Sequence, residues 1–340
     1  MLDKENLVKY DSEKMFLTYD LWHEIANEAY SLPIKQADFS NINHIVFAGM
    51  GGSGTIADIF AAILSKTSIH VNVVKGYLLP KTVNSETLVI TISVSGNTKE
   101  TLSVLKSANE MKCRIIAFSS GGEMQEYCSN NNIEFRNVKK YHSPRGSLTS
   151  YLYTILKVLQ NSLKIKENDI LESINELKIM SEKINSSNLT ETNPALKLAN
   201  WIKEIPIVYY PFGLQSAAIR FKNSFQENAK MHTFTEDVIE FCHNGIVAWE
   251  RDSNVQPIFL QGKDDYIKTK ERYETIKEFF DKNSISYYEI SSIEGNILSK
   301  LITLIFLFDY TTIYHAVISK IDPTPVNSID FIKKEIKENS

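Results

Sequence analysis

Cysteine is scarce. Three occur in 340 residues (Cys113, Cys128 and Cys242), an odd count with no C-x-x-C pair, which argues against a disulfide framework and a thiolate zinc site. A reduced, cytoplasmic interior is the expected setting. An excess of one charge is also lacking: 37 basic and 41 acidic side chains leave a formal charge of -4, so no broad positive field exists to capture DNA or RNA, and no nucleic-acid partner is expected. Long apolar runs are missing too. The greasiest stretch, residues 301–308, is closed by Asp309 and followed by Thr311, Thr312 and His315. It falls well short of the ~18 apolar residues of a membrane span and is read as a buried core helix, with no membrane partner. Residues 1–10 carry Asp3, Lys4, Glu5 and Lys9 and lack the basic-then-apolar design of a signal peptide. What is present, 43% hydrophobic and 23% charged residues over a length that suits two domains, belongs to the soluble globular class and excludes collagen, coiled coil and wholesale disorder.

Residues 7–30 space Met15, Tyr19, Trp22 and Ala26 at helical intervals, with Phe16 and Ile25 beside them. They predict one leading helix that ends before Pro33 and packs on a later part of the chain. From His44 the texture changes to short apolar runs at 44–49, 70–74, 87–93, 113–120 and 133–138, separated by helical compositions at 55–64, 99–111 and 124–130. Strands of nearly continuous apolar character alternating with helices predict a doubly wound parallel sheet covered on both faces. Residues 147–185 are helical in composition, and 186–194 read as a break. A strand at 205–213 followed by a helix at 214–230 then repeats the strand, turn and helix order of residues 44–60, and 255–262 and 284–291 supply later strands. The expected architecture is α/β, with two similar doubly wound parallel-sheet subdomains and flanking helices. The boundaries are an N-terminal helical segment (1–40), a first subdomain (41–155), a helical connection (156–194), a second subdomain (195–322) and a C-terminal tail helix (323–340). Two such halves leave a cleft between them, a usual place for a small-molecule site.

Gly49-Met50-Gly51-Gly52-Ser53-Gly54 fits G-x-G-x-x-G between a strand and a helix, the context in which that pattern signals a dinucleotide. The acidic ribose partner expected at the end of the next strand is absent. The chain offers Asn72, Val73, Val74 and Lys75 there, so NAD is disfavoured and Lys75 leaves NADP open; the bland alternative is a turn that lets strand and helix pack closely. Ser93-Val94-Ser95-Gly96-Asn97-Thr98-Lys99-Glu100 ends the third run. Asn97 with Glu100 predicts a capping-box-like helix start that crowds the hydroxyls of Ser93, Ser95 and Thr98 around a helix N-terminus. Free backbone N–H groups and the positive dipole end suit a phosphate dianion there, although plain capping accounts for many such clusters. The loops after the first and third strands of one parallel sheet meet at its carboxyl edge, which favours binding.

GMGGSG together with SVSGNTKET resembles the sugar isomerase (SIS) domain. Further segments, SPRGSL (143–148), FQENAK (225–230), CHNGIVAWE (242–250) and the run from Asp309 to Lys334, are similar to the bifunctional phosphoglucose/phosphomannose isomerase family, built as two SIS subdomains. The resemblance implies reversible isomerisation of glucose 6-phosphate, and of mannose 6-phosphate, with fructose 6-phosphate, a step of glycolysis and gluconeogenesis. It requires no cofactor and no metal. It implies that Gly51, Gly52, Ser53, Ser93, Ser95 and Thr98 hold the phosphate and that Glu227 moves the proton between the first and second sugar carbons. A carboxylate in a partly desolvated cleft is suited to that work. His243 is implied to open the ring, since imidazole both donates and accepts protons near neutrality, and to reach the site across the interface of a homodimer. Arg145 is implied to stabilise negative charge on the enediolate, and Lys333, or its neighbour Lys334, to lie near the ring oxygen. For each residue a plain reading exists: Glu227 as a solvated helix charge, Arg145 as a loop arginine, Lys333 as the wet face of a terminal helix. Two positions depart from the family pattern, Ser143 in place of a proline and Gly245 in place of an acidic residue. The hydroxyl residue the family uses to accommodate the mannose epimer aligns with Thr324 or Ser328. The rival readings are a non-catalytic sugar-phosphate sensor, an NADP-dependent oxidoreductase and a ketose–amine isomerase.

Overall fold

The computed structural model describes residues 2–338. The opening segment forms three short helices rather than one: α1 (Lys4–Tyr10), α2 (Met15–Asp20) and α3 (Trp22–Ser31). Asp11 causes the first break. Its buried carboxylate accepts from the backbone N–H groups of Met15 (3.0 Å) and Phe16 (2.9 Å) and so restarts the chain as a new helix. The expected packing holds, because Trp22 and Tyr19 lie against Phe306 and Tyr310 far along the chain, with ring centroids 5.3 and 6.1 Å apart.

The first sheet follows as β1 (His44–Ala48), α4 (Gly51–Leu64), β2 (His70–Val74), β3 (Leu88–Ser93), α5 (Lys99–Glu110), β4 (Arg114–Ser119), α6 (Gly122–Asn130) and β5 (Glu134–Asn137). After α7 (Leu148–Leu159), α8 (Glu167–Ile184) and α9 (Pro194–Trp201) comes the second: β6 (Ile205–Tyr210), α10 (Gln215–Ala229), β7 (Phe234–Asp237), α11 (Val238–Phe241), β8 (Val255–Gln261), α12 (Ile267–Lys282) and β9 (Tyr288–Ser291). The helices α13 (Ile297–Ile318) and α14 (Asn327–Glu338) complete the chain. Every strand pairing is parallel. The sheets run β2-β1-β3-β4-β5 and β7-β6-β8-β9, so each half has the 2-1-3-4 order of a doubly wound fold, with a reversal of direction beside its first strand. The duplication expected from the strand, turn and helix repeat is present in the topology.

Residues 301–308 belong to a helix longer than their apolar run suggests. By length and composition the 22-residue α13 would cross a membrane, but 89% of its apolar window is buried inside the protein. It is the central helix on which α8, α9 and α10 pack, which removes its apolar surface from water all round.

Candidate active site

The carboxyl ends of β1 and β3 carry the two anion loops. Met50 is extended, and α4 begins at Gly51 rather than at Thr55, with no side chain capping its first turn. The N–H groups of Gly51 and Gly52 thus start a helix that no side chain caps, while the Ser53 N–H donates to the Met50 carbonyl at 3.0 Å. The capping box expected at α5 does not form. Thr98 is the N-cap and its side chain makes no cap bond, while Asn97 Oδ1 accepts from the Glu123 N–H at 2.9 Å and so serves α6 instead. The consequence for binding is favourable, since α5 also keeps its terminal donors. Ser93 Oγ lies 2.9 Å from Thr98 Oγ1 and accepts the Gly96 N–H at 3.1 Å, which fixes the loop. Gly96 has φ +71°, and a Cβ there would fall 1.8 Å from the Gly121 carbonyl oxygen, so only glycine fits. Ser53 and Ser93 are buried, Thr98 is half-buried and Ser95 is exposed.

Glycine also lets the first loop meet the next part of the site. A Cβ at Gly52 would lie 3.3 Å from the Pro144 carbonyl oxygen and 3.4 Å from Arg220 Nη1, so α4 opens directly onto the Ser143–Gly146 turn and α10. Arg145 leaves that turn buried, 6% exposed. Its Nε faces Glu227 Oε2 at 3.0 Å, its Nη1 donates to Asn228 Oδ1 (2.6 Å) and the Pro323 carbonyl (3.1 Å), and its Nη2 donates to the Thr324 carbonyl (2.8 Å). Glu227 stands near the end of α10 with its side chain 28% exposed. It opens on a cleft of ≈ 750 Å³ lined also by Gly51, Lys230, His232, Pro325 and Ser328.

Several of these groups gave no signal in the motifs. On α10, Arg220, Ser224 and Asn228 stand four residues apart and form a buried polar stripe facing Asp309 and Thr312 of α13. Arg220 holds Asp309 through Nε (3.0 and 3.1 Å) and Nη2 (2.5 Å), Ser224 Oγ donates to Asp309 Oδ1 (2.6 Å), and Arg220 Nη2 reaches the Arg145 carbonyl (3.1 Å). Polar residues at i, i+4 and i+8 on the core-facing side of an amphipathic helix were the available cue. Lys230 follows the helix with its ammonium 2.6 Å from the Glu227 carbonyl and 3.1 Å from that of Pro323. Burial, and then the Arg145 guanidinium, pull its pKa down to about 8.

Two expected residues do not line this cleft in the single chain. His243 is exposed in the turn after α11. The polypeptide runs from Glu227 at the end of α10 up through β7, a rise of about 10 Å at ~3.3 Å per residue, to Asp237, whose carboxylate caps α11 through Ile239 N–H (2.8 Å) and Glu240 N–H (3.1 Å). Glu227 and His243 therefore belong to opposite edges of the second sheet. Trp249 Nε1 donates to Tyr209 OH at 2.8 Å and pins the His243 segment to that far edge. Cys242 beside it is half-buried, donates to the Val238 carbonyl at 3.2 Å, and has its thiol pKa raised by burial, which suits an inert thiol. Lys333 lies exposed on α14, whose first residues reach the cleft. Lys75, the residue that left NADP open, is paired with Asp58 at 2.5 Å. Among the described residues no cluster of three or more His, Cys, Asp or Glu side chains is placed to hold a metal ion.

The SIS domain model matches residues 38–151, and that of the bacterial phospho-glucose isomerase C-terminal SIS domain matches residues 191–336. A bifunctional phosphoglucose/phosphomannose isomerase of Caldicellulosiruptor bescii is 32% identical over 91% of this chain and 93% of its own length. One from Aquifex aeolicus is 28% identical over 89% of this chain and 93% of its own. In fold, a hypothetical protein of Thermus thermophilus superposes with a TM-score of 0.76 at 12% identity, over 99% of this chain and 94% of that one. The chain belongs to the bifunctional phosphoglucose/phosphomannose isomerase family.

Proposed function

We propose that the chain interconverts glucose 6-phosphate and mannose 6-phosphate with fructose 6-phosphate through an enediol, without a cofactor or a metal. The observation that carries the reading is the shared cleft: the Gly51 end of the first anion loop and the Glu227 carboxylate line one cavity. A phosphate bound at the N-termini of α4 and α5 by Ser53, Ser93, Ser95, Thr98 and the backbone of Gly51 and Gly52 leaves the other end of an open-chain sugar to reach Glu227. Glu227 removes the proton from C2 and returns it to C1. The Arg145 guanidinium orients that carboxylate and offers positive charge to the enediolate. Because C2 is planar in the enediol, glucose and mannose phosphates give the same intermediate, and turnover of both requires only that the proton can return to either face of C2. Ser328 lines the cleft, whereas Thr324 offers Arg145 its backbone carbonyl, keeps its hydroxyl buried and does not line the cleft, which favours Ser328 as the hydroxyl near the epimeric centre.

Ring opening is assigned to His243 of the partner subunit in a homodimer, since the chain's own His243 stands at the edge of the sheet opposite Glu227. The edge that carries His243 also bears Phe212 (84% exposed), Tyr266 (72%), Ile267 and Val247. These apolar side chains follow β6, β8 and α11 at their carboxyl ends, and a second copy would cover them. Exposed Phe331 and Ile332 immediately precede Lys333 on α14 and support placing that helix, with Lys333, at the same shared surface.

The test follows the hydrogen at C2. With glucose 6-phosphate deuterated at C2, in protiated water containing EDTA, an enediol mechanism releases deuterium to solvent as fructose 6-phosphate forms. Full retention of deuterium at C1 would indicate hydride transfer, and loss of activity in EDTA restored by zinc would refute the metal-free scheme.

A further inference from the structure

Glu227 is the middle of three consecutive polar residues near the end of α10, Gln226, Glu227 and Asn228, and the last is wholly buried. Asn228 has no exposed surface. Its Nδ2 donates to Thr312 Oγ1 at 2.8 Å, and its Oδ1 accepts from Arg145 Nη1 at 2.6 Å. The direction of the amide is dictated by its neighbours. Thr312 Oγ1 spends its only hydrogen on the Asp309 carbonyl, 2.7 Å away, so toward Asn228 it can only accept. The amide must present NH2 to Thr312 and therefore oxygen to the guanidinium. Arg145 in turn directs Nε to Glu227 Oε2 at 3.0 Å.

We propose that Asn228, with its amide locked by Thr312, is a positioning residue that holds the Arg145 guanidinium against the Glu227 carboxylate. The inference rests on the reading of Glu227 as the proton-transferring base. The relay is anchored at depth, because the Asp309 that receives the Thr312 hydrogen is itself clamped by Arg220 and Ser224. Each link is satisfied, so the line from the core to the base has one low-energy arrangement. Removing the Thr312 hydroxyl leaves the buried Asn228 NH2 without its acceptor, so the amide is drawn toward another partner and the guanidinium bonded to its oxygen must move with it.

Four variants test this: Thr312→Val, Thr312→Ser, Asn228→Ala and the Asn228→Ala/Thr312→Val pair, each checked for folding by circular dichroism and melting temperature. Thr312→Val preserves volume and is the gentler probe should Asn228→Ala fold poorly. Displacing a reacting group by an ångström costs on the order of 100-fold in rate, so Thr312→Val and Asn228→Ala should lower kcat by about that factor while KM stays within about twofold. Thr312→Ser keeps the hydroxyl and should restore kcat. The double variant should be no slower than Asn228→Ala alone, since both changes break one relay. An unchanged kcat in Thr312→Val, a loss that appears in KM, or losses that multiply in the double variant would each overturn the inference. Glu227→Gln measured alongside separates the two levels of the argument. If it is inactive while Thr312→Val matches wild type, the positioning role alone fails; if Glu227→Gln turns over normally, the base assignment fails and the positioning role with it.

Discussion

The Arg145 guanidinium reaches Glu227 Oε2 through Nε at 3.0 Å while its other two nitrogens are held by Asn228 Oδ1 and by the carbonyls of Pro323 and Thr324. One side chain thus joins the turn before α7, the end of α10 and the segment leading into α14, and it does so with a planar fork that lysine lacks. Arg145→Lys should keep the charge and lose this geometry. The expected outcome is a fall in kcat of about 100-fold or more, read by steady-state assay with either aldose phosphate.

Glu227 and His243 stand at opposite edges of the second sheet, so a shared site predicts complementation between two inactive chains. Glu227→Gln mixed with His243→Ala, after verified subunit exchange, should recover about one quarter of wild-type activity, because half of the dimers would then carry one intact site of two. Absence of recovery would place both groups in one chain. The proposed dimer further predicts that Phe212→Glu, on the same edge as His243, gives a monomer in sedimentation and abolishes turnover together.

The Arg220–Asp309 pair is buried, with Arg220 2% and Asp309 0% exposed, and it anchors the polar seam between α10 and α13. Asp309→Asn leaves a guanidinium without its countercharge, for which a loss of about 3–5 kcal/mol is expected. Equilibrium denaturation would measure it. A loss below about 1 kcal/mol would mean that the seam is not stabilised as a charged unit.

Lys230 loses its proton more readily than an ordinary lysine, with a pKa pulled down to about 8 by burial and then by the Arg145 guanidinium. The sign is set by the amine: the folded protein favours the neutral form, so between about pH 8 and the ordinary lysine range the unfolded chain binds the extra proton and stability contributed by this group rises with pH. Catalysis moves the other way. Loss of a cation from the cleft weakens its hold on an anionic sugar, so kcat/KM should fall as pH rises through about 8, and Lys230→Arg should shift that limb upward. A limb unmoved in Lys230→Arg would assign it to another group.

Much of the fold was legible in the sequence because parallel strands buried on both faces read as continuous apolar runs, and each run in the first half became a strand within a residue or two. The exception in the second half was β7, whose four residues Phe-Thr-Glu-Asp sit at a sheet edge and carry two charges, so no apolar signal marks them. The opening segment misled through Asp11, whose capping role depends on where its carboxylate folds. At the site, the glycine and hydroxyl loops were visible as motifs because their chemistry is local. The Arg220, Ser224 and Asn228 stripe offered only its four-residue spacing as a cue, because its partners Asp309 and Thr312 lie more than eighty residues away and no local pattern announces the pairing. His243 and Lys333 were singled out only by resemblance, and neither lines the cleft that holds Glu227.

The most direct test of the central claim is the formation of fructose 6-phosphate from glucose 6-phosphate and, separately, from mannose 6-phosphate by the purified protein, with Glu227→Gln beside it and EDTA present. Turnover of both sugars by the wild type, lost in Glu227→Gln, is the predicted result. Binding of both sugars without turnover would contradict it and make the protein a sugar-phosphate sensor whose cleft residues are ligand contacts only.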